Sequence, residues 1–334
     1  MRPLRTGVGS PTLRRGWGAP GFRGAGALRL AGRLLFVAWA AFTLTFFLMR
    51  LLPGDAATAR LTASNLLTDE QVAELRHQYG LDEPLVVQYL TQLLRLITLQ
   101  WGRSWSTGAD VAETVFAALG STATLAAAAL LLISAACLLL GYYVTTTRHR
   151  FGRRLASAIS ILGVSMPTFW VGIILIQIFS FQLGWFPALG DDGAHSLVLP
   201  AIAIAMFGTG AMSRVLIRSL SAEWQRDYAS GARLRGLSNR QVFFGFVLRG
   251  AAAPFVTQLG IAAATLISGA IETEVVFSRP GIGRLLQTSI MTNDLPYIQV
   301  ITVLVAVAFV LVISATDLVV ARLQPRGERT GAAR

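Results

Sequence analysis

Six stretches of this chain are long and apolar enough to cross a bilayer, which takes about 20 mostly apolar residues in a helix. They cover 34–52, 121–145, 155–183, 197–216, 251–277 and 298–320. Inside hydrocarbon each backbone N–H and C=O must be paired within the protein, so windows of this length admit helices and little else. The expected fold is an all-α polytopic membrane protein with six transmembrane helices and both termini on one side. Only 14% of residues are charged, against about 25% in an average soluble domain.

Arginine orients those helices. All 29 basic residues are arginine, and 17 acids leave a net charge of +12. Twenty-two of the 29 fall in four segments on one side of a six-span chain: the tail 1–33, the turn 148–154, the stretch from Arg214 to Arg249 that flanks and fills the loop 217–250, and the end from Arg322. Short cytoplasmic segments retain basic residues, so both termini are expected in the cytosol. The excess charge is then a matter of membrane orientation and calls for no nucleic-acid partner. The expected organisation is a cytosolic basic tail 1–33 without helical period, a first span 34–52 and an extracytoplasmic helical loop 53–120. A five-helix core 121–322 holding the cytosolic loop 217–250, and a tail 323–334, complete it.

Rare residues exclude several chemistries. Without lysine there is no P-loop lysine for ATP and no Schiff-base lysine. Cys137 is the sole cysteine, which rules out disulfides within the chain. His77, His149 and His195 all lie outside the spans, so a metal site in the bundle would lack its usual ligand.

In the outer loop, Thr68 and Gln71 form a capping-box pattern before Gly80, and a second helix is expected from about Asp82 to Leu99. Leu90, Leu93, Leu94 and Ile97 would form its apolar face.

The loop 217–250 is too polar to span and too patterned for a linker. A helix is expected through Arg235, a turn at Gly236 in the position favouring glycine after a helix, and a restart at Ser238 capped with Gln241. Tyr228, Ala232 and Arg235 share a face by spacing, which would offer an aromatic, a small contact residue and a cation. Spacing leaves two readings open: a hairpin that docks into another protein's groove, or an arginine-rich anchor at the membrane surface.

Asp227-Tyr228, Ala232-Arg233 and Arg235-Gly236-Leu237-Ser238 resemble the EAA loop of ABC-importer permeases, in the form used by the dipeptide/oligopeptide/nickel family. Arg50-Leu51-Leu52-Pro53-Gly54-Asp55, Trp101-Gly102-Arg103-Ser104, Pro167-Thr168-Phe169-Trp170 and Glu274-Val275-Val276-Phe277-Ser278-Arg279-Pro280-Gly281 resemble the family's other motifs, in order. The resemblance implies a type I ABC-importer permease fold in which 227–235 is the coupling helix and Gly236 its turn. It also implies a second, similar permease, two cytosolic ATPase subunits carrying ATP and Mg, and an extracytoplasmic solute-binding protein. No cofactor would be bound by this chain, and no covalent chemistry done by it.

Glu272, Glu274 and Asp317 are acids within or bordering the spans, where charge is costly and marks candidates for function. Glu274 has two readings, a brace for the Pro280-Gly281 turn or a contact with substrate or gate; Asp317 is expected to pair with an arginine. Met166, Pro167, Trp170, Gln258 and Glu274 form the candidate pathway or gate set, with Pro167 kinking the third span. An ion-driven secondary transporter is the rival; it predicts inverted repeats and an acid at the midplane.

Overall fold

The computed structural model describes residues 22–51, 82–147 and 149–323. The helix expected over 68–80, the tail up to residue 21 and the end beyond Leu323 lie outside them, whereas residues 22–33, expected to lack a helical period, are the first turns of a helix that continues into the first span. Eleven helices follow one another among the described residues: α1 (Phe22–Leu51), α2 (Leu85–Ile97), α3 (Val111–Thr146), α4 (Arg150–Ser165), α5 (Thr168–Leu175), α6 (Ala194–Trp224), α7 (Asp227–Leu234), α8 (Asn239–Gly250), α9 (Ala252–Val276), α10 (Ile282–Met291) and α11 (Leu295–Leu323). Helix α5 continues as a π-helix over Ile176–Gln182.

Four of these, α1, α3, α6 and α11, are uninterrupted helices long and apolar enough to cross a membrane. A fifth span results if α8 and the first part of α9, bent by 70°, are counted together. The window 155–183 is divided between α4 and α5. Proline lacks an N–H and pushes its predecessor into extended backbone. Met166 accordingly sits at φ −97°, ψ 127°, and Thr168 starts a new helix. The expected kink at Pro167 is therefore a full break.

Helices α3 and α6 form the centre. Leu125, Ala129, Ile133 and Cys137 recur every four residues along one face of α3 and meet Ala201, Ile204, Met212 and Leu216 of α6. Small residues let backbones approach where α4 crosses α6. A Cβ on Gly163 would lie 2.5 Å from the Met206 carbonyl, and one on Gly210 would lie 2.8 Å from the Ser160 carbonyl. Such close crossings are how membrane helices gain van der Waals contact when lipid offers no hydrophobic drive between them.

Helix α1 lies against α11 through Phe42, Phe46 and Val303, and α2 closes this cluster. The packed face of α2 differs from the expected one. Leu90, Leu94 and Ile97 are exposed, whereas Tyr89, Leu93 and Leu96 pack on Phe42 and Phe46. Polar partners decide the rotation. Gln88 accepts from Arg50 of α1, Gln92 accepts from Gln299 of α11 at 2.9 Å, and the Tyr89 and Thr43 hydroxyls are 2.9 Å apart. Asp317 is exposed and makes no ion pair among the described residues, so the arginine pairing expected of it is absent there.

Candidate coupling hairpin and transmembrane cavity

The segment joining α6 to α9 is a helix-turn-helix closed at both sides of its turn. At the end of α7, Gly236 takes φ +84°. Its N–H donates to the Arg233 carbonyl at 3.0 Å, and the Leu237 N–H donates to that of Ala232 at 3.3 Å. This pair of bonds uses up carbonyls a helix end would otherwise leave unpaired. One residue later, the Ser238 hydroxyl accepts from the Gln241 N–H at 3.3 Å, and the Gln241 side chain accepts from the Ser238 N–H at 2.9 Å. The chain direction is thus held by backbone and cap bonds rather than by loop packing.

The two faces of α7 have different tasks. Ala229 and Ala232 are fully buried and join the cluster containing Val242, Phe243 and Val247. Ala232 is therefore an inward contact with the chain's own bundle and not the outward contact residue expected from its spacing with Tyr228 and Arg235. Leu234 is 90% exposed, and Asp227 and Arg235 are exposed beside it. Leu234 was not among the residues singled out by motif. An unpaired leucine on a short polar helix is the signal that would have found it. Arg233 turns back: its guanidinium lies 4.8 Å from the Trp224 ring centroid and donates to the Trp224 carbonyl at 3.3 Å and the Ser230 hydroxyl at 2.8 Å.

Tyr228 anchors the start of α7. Its hydroxyl donates to the Glu223 carboxylate near the end of α6, which also pairs with Arg226 at 3.2 Å. Burial first, then the hydrogen bond and charge of Glu223, push the Tyr228 phenol up to about 12. Gly250 completes the joint, since a Cβ there would lie 2.5 Å from a Glu223 oxygen and 2.7 Å from the Tyr228 hydroxyl. Three elements, the end of α6, the hairpin and the bend before α9, therefore meet at one carboxylate.

Among the described residues, a cavity of about 640 Å³ opens between α5, α6, α9 and α11. Pro167 lines it, as do Phe169, Phe207, Thr265, Glu272 and Phe309. Met166, Trp170, Gln258 and Glu274, which sequence reasoning grouped with Pro167, do not. Met166 packs beside Val171, Leu175 and Phe277. At 3.6 residues per turn, Glu272 points about 200° away from Glu274 on α9, and it shares a face with Thr265 and Gly269. Helical period alone could have separated the two acids; which of them faced the cavity needed the packing.

Glu274 is fully buried at the other end of the bundle from the hairpin. One oxygen accepts from the Thr122 hydroxyl at 2.6 Å; the other accepts from the Gly283 N–H at 2.7 Å and the Arg284 N–H at 3.4 Å. Those N–H groups open α10, where a helix favours negative charge. Thr122 in turn accepts from the Ile282 N–H at 2.8 Å. Next to it, fully buried Arg279 donates to Asp191 at 2.5 Å and to the Ser121 and Ser196 hydroxyls at 3.3 Å. Asp294, absent from the motifs, is a third such knot. It accepts from the Ser104 hydroxyl at 2.5 Å, the Ser106 hydroxyl at 2.6 Å, and the Trp105 and Ser106 N–H groups at 3.2 and 3.0 Å.

Comparison with known proteins agrees with this architecture. Residues 137–329 match the family described as "Binding-protein-dependent transport system inner membrane component", and residues 28–126 match its N-terminal companion. The chain is 32% identical over 298 residues to the "Glutathione transport system permease protein GsiC" of Salmonella typhimurium (strain LT2), covering 89% of this chain and 95% of that protein. The protein of the same name from Escherichia coli (strain K12) is 33% identical over 283 residues, covering 84% and 92%. In fold, a chain of the inward-facing MetNI methionine ABC transporter superposes with a TM-score of 0.55 at 17% identity, covering 64% of this chain and 97% of that one.

Proposed function

Because the chain belongs to the binding-protein-dependent transport system inner membrane components, the permease subunits of ABC importers, we propose that it moves di- or oligopeptides, or a related small solute, across the cytoplasmic membrane by alternating access. In this reading both termini and the α7–α8 hairpin are cytosolic. A second permease, two ATPase subunits binding ATP and Mg, and an extracytoplasmic solute-binding protein complete the transporter. The peptide class is supported by the relatives named for glutathione, itself a small peptide.

The observation that carries the coupling role is the hairpin itself. Asp227 and Tyr228 start the docking helix, Ala232 seats it on the bundle, and Arg233 ties it to Trp224. Gly236, Leu237 and Ser238 set the turn, leaving Leu234 and Arg235 outward for an ATPase groove. Because α7 is fixed to α6 and to the bend before α9, displacement of the hairpin is transmitted to the helices that line the cavity. ATP hydrolysis on the partner subunits would then alternate the access of that cavity.

Replacing Leu234 with Asp tests this. The variant is expected to insert normally, to lose at least about tenfold in ATPase subunits recovered with it from solubilised membranes, the loss typical of a buried apolar anchor, and to lose ATP-dependent uptake. Normal recovery and uptake would overturn the docking assignment. Uptake that persists with ATP when ion gradients are collapsed separates this mechanism from an ion-driven one.

A further inference from the structure

Four other acids among the described residues have an evident structural task. Glu274 caps α10, Asp294 gathers the 104–106 segment, Asp191 neutralises Arg279, and Glu223 holds Tyr228. Glu272 has none: among the described residues it makes neither a hydrogen bond nor an ion pair, and it is exposed on the cavity wall. A carboxylate on a membrane-spanning helix is costly unless it faces a partner or a hydrated passage.

The walls around Glu272 supply a second, independent indication. Phe169 of α5, Phe207 of α6 and Phe309 of α11 all line the same cavity and are all exposed. The face of an aromatic ring attracts cations, most strongly where water is partly excluded. Among the described residues no arginine lines the cavity, so no cation of the described wall competes for the carboxylate. The volume of about 640 Å³ lies within the range of small-molecule sites. On the α9 side, Thr265, Gly269 and Glu272 form one continuous strip, and Gly269 leaves open space where a side chain would otherwise project.

We propose that Glu272 and the three phenylalanine rings form a subsite for a cationic nitrogen on the transported solute, a free amino terminus or a basic side chain, as it passes through the permease. This rests on the reading of the chain as a peptide permease and narrows it: the permease itself, and not only a separate binding protein, discriminates by charge. Glu272 holds the cation electrostatically, the rings hold it by their faces, and the otherwise apolar wall admits the uncharged remainder.

The test uses the assembled transporter in membranes and does not require the solute to be known. Cys137 is replaced by Ser, leaving no other thiol in the chain, and Thr265→Cys or, separately, Gly269→Cys places a reporter on the strip. Each is reacted with a cationic trimethylammonium-ethyl methanethiosulfonate and an anionic sulfonatoethyl one, with rates normalised to a free thiol. The cationic reagent is expected to react about tenfold faster or more, the scale of focusing in a charged cleft with low-dielectric walls. Glu272→Gln should bring the two rates within about twofold of each other. Equal rates with Glu272 present, a preference that survives Glu272→Gln, or no reaction at either position would overturn the proposal. An arginine of the second permease paired with Glu272 would appear as absent selectivity, and so also counts against it. Charge selection that persists in a transporter taking up no peptide would sink the peptide reading alone.

Discussion

The Tyr228 hydroxyl donates to the Glu223 carboxylate across the joint where α6 ends and α7 begins. That one contact ties the hairpin to the long central helix, with Arg226 and the Gly250 backbone closing the same site. Tyr228→Phe keeps the ring and removes the donor. The variant is expected to insert and fold, but to lower the ATP-driven uptake rate by several-fold while solute binding outside the membrane stays unchanged. The phenol is raised from 10.0 to about 12 in the folded protein. Its protonated form therefore stabilises the joint fully below the unfolded value, and that stability is lost only as pH rises through about 12. Between about pH 7 and 9 the thermal midpoints of wild type and Tyr228→Phe should therefore run parallel. A difference that grows steadily across that range would mean another group titrates at the joint.

Two glycines five residues apart in the hairpin should respond in opposite directions. Gly236 has φ +84°, so Gly236→Val is strained whatever space surrounds it, at about 1–3 kcal/mol. The turn would open, and ATPase subunits should be recovered in reduced amount. Gly231 lies inside α7 with open space where a Cβ would sit. Gly231→Ala is expected to stabilise the helix by up to about 1 kcal/mol and to leave uptake intact. Circular dichroism of the purified transporter on heating measures both. If Gly236→Val matched wild type in assembly and uptake, the turn would not be what positions the hairpin.

Much of the hairpin was legible because its signals are local. Gly236, Ser238 and Gln241 act through backbone geometry and caps within a few residues of themselves, and such devices form wherever the chain is otherwise free. What spacing could not decide was which side of α7 faced the bundle. Tyr228, Ala232 and Arg235 share a helical face, yet Ala232 is buried while the other two are exposed. The same limit applied to α2, where a leucine stripe was outbid by Gln88 and Gln92 finding partners on α1 and α11. In a membrane protein an exposed leucine costs nothing against lipid, so apolarity alone does not point inward. Pro167 was readable as an interruption, since its effect is covalent. Helical period puts Glu272 and Glu274 on different faces of α9, but only packing against Thr122 and the start of α10 shows that Glu274 is the buried one.

Thr122 serves two masters at the far end of the bundle, donating to Glu274 and accepting from the Ile282 N–H. Thr122→Val keeps the shape and removes both bonds. Leaving a buried acceptor short of its donor costs about 1–3 kcal/mol. Gly281→Ala should be worse, because the added methyl would overlap the Glu274 carboxyl. Both variants are expected to lower the thermal midpoint, with Gly281→Ala also depressing membrane yield. Because the hairpin lies at the opposite end, ATPase recovery per folded permease should be unchanged. A selective loss of ATPase binding would show that the two ends are coupled in the resting state.

Asp294 gives the sharpest prediction for the segment before α3. Its two oxygens take two hydroxyls and two backbone N–H groups from Ser104, Trp105 and Ser106, a set of donors that only a carboxylate can fully satisfy. Asp294→Asn would turn one acceptor into a donor facing N–H groups and hydroxyls. The antiparallel backbone bridge between Arg103 and Asp110 and the Asp110 cap on α3 depend on that segment staying in place. The expected outcome is a local one. Limited proteolysis should cut between 102 and 110 at least several-fold faster in Asp294→Asn, while ATPase assembly is retained. Asp294→Glu, which keeps the charge but lengthens the arm, should recover part of the protection. Equal cleavage of wild type and Asp294→Asn would mean that the 104–106 segment is held by its contacts with α3 and not by this carboxylate.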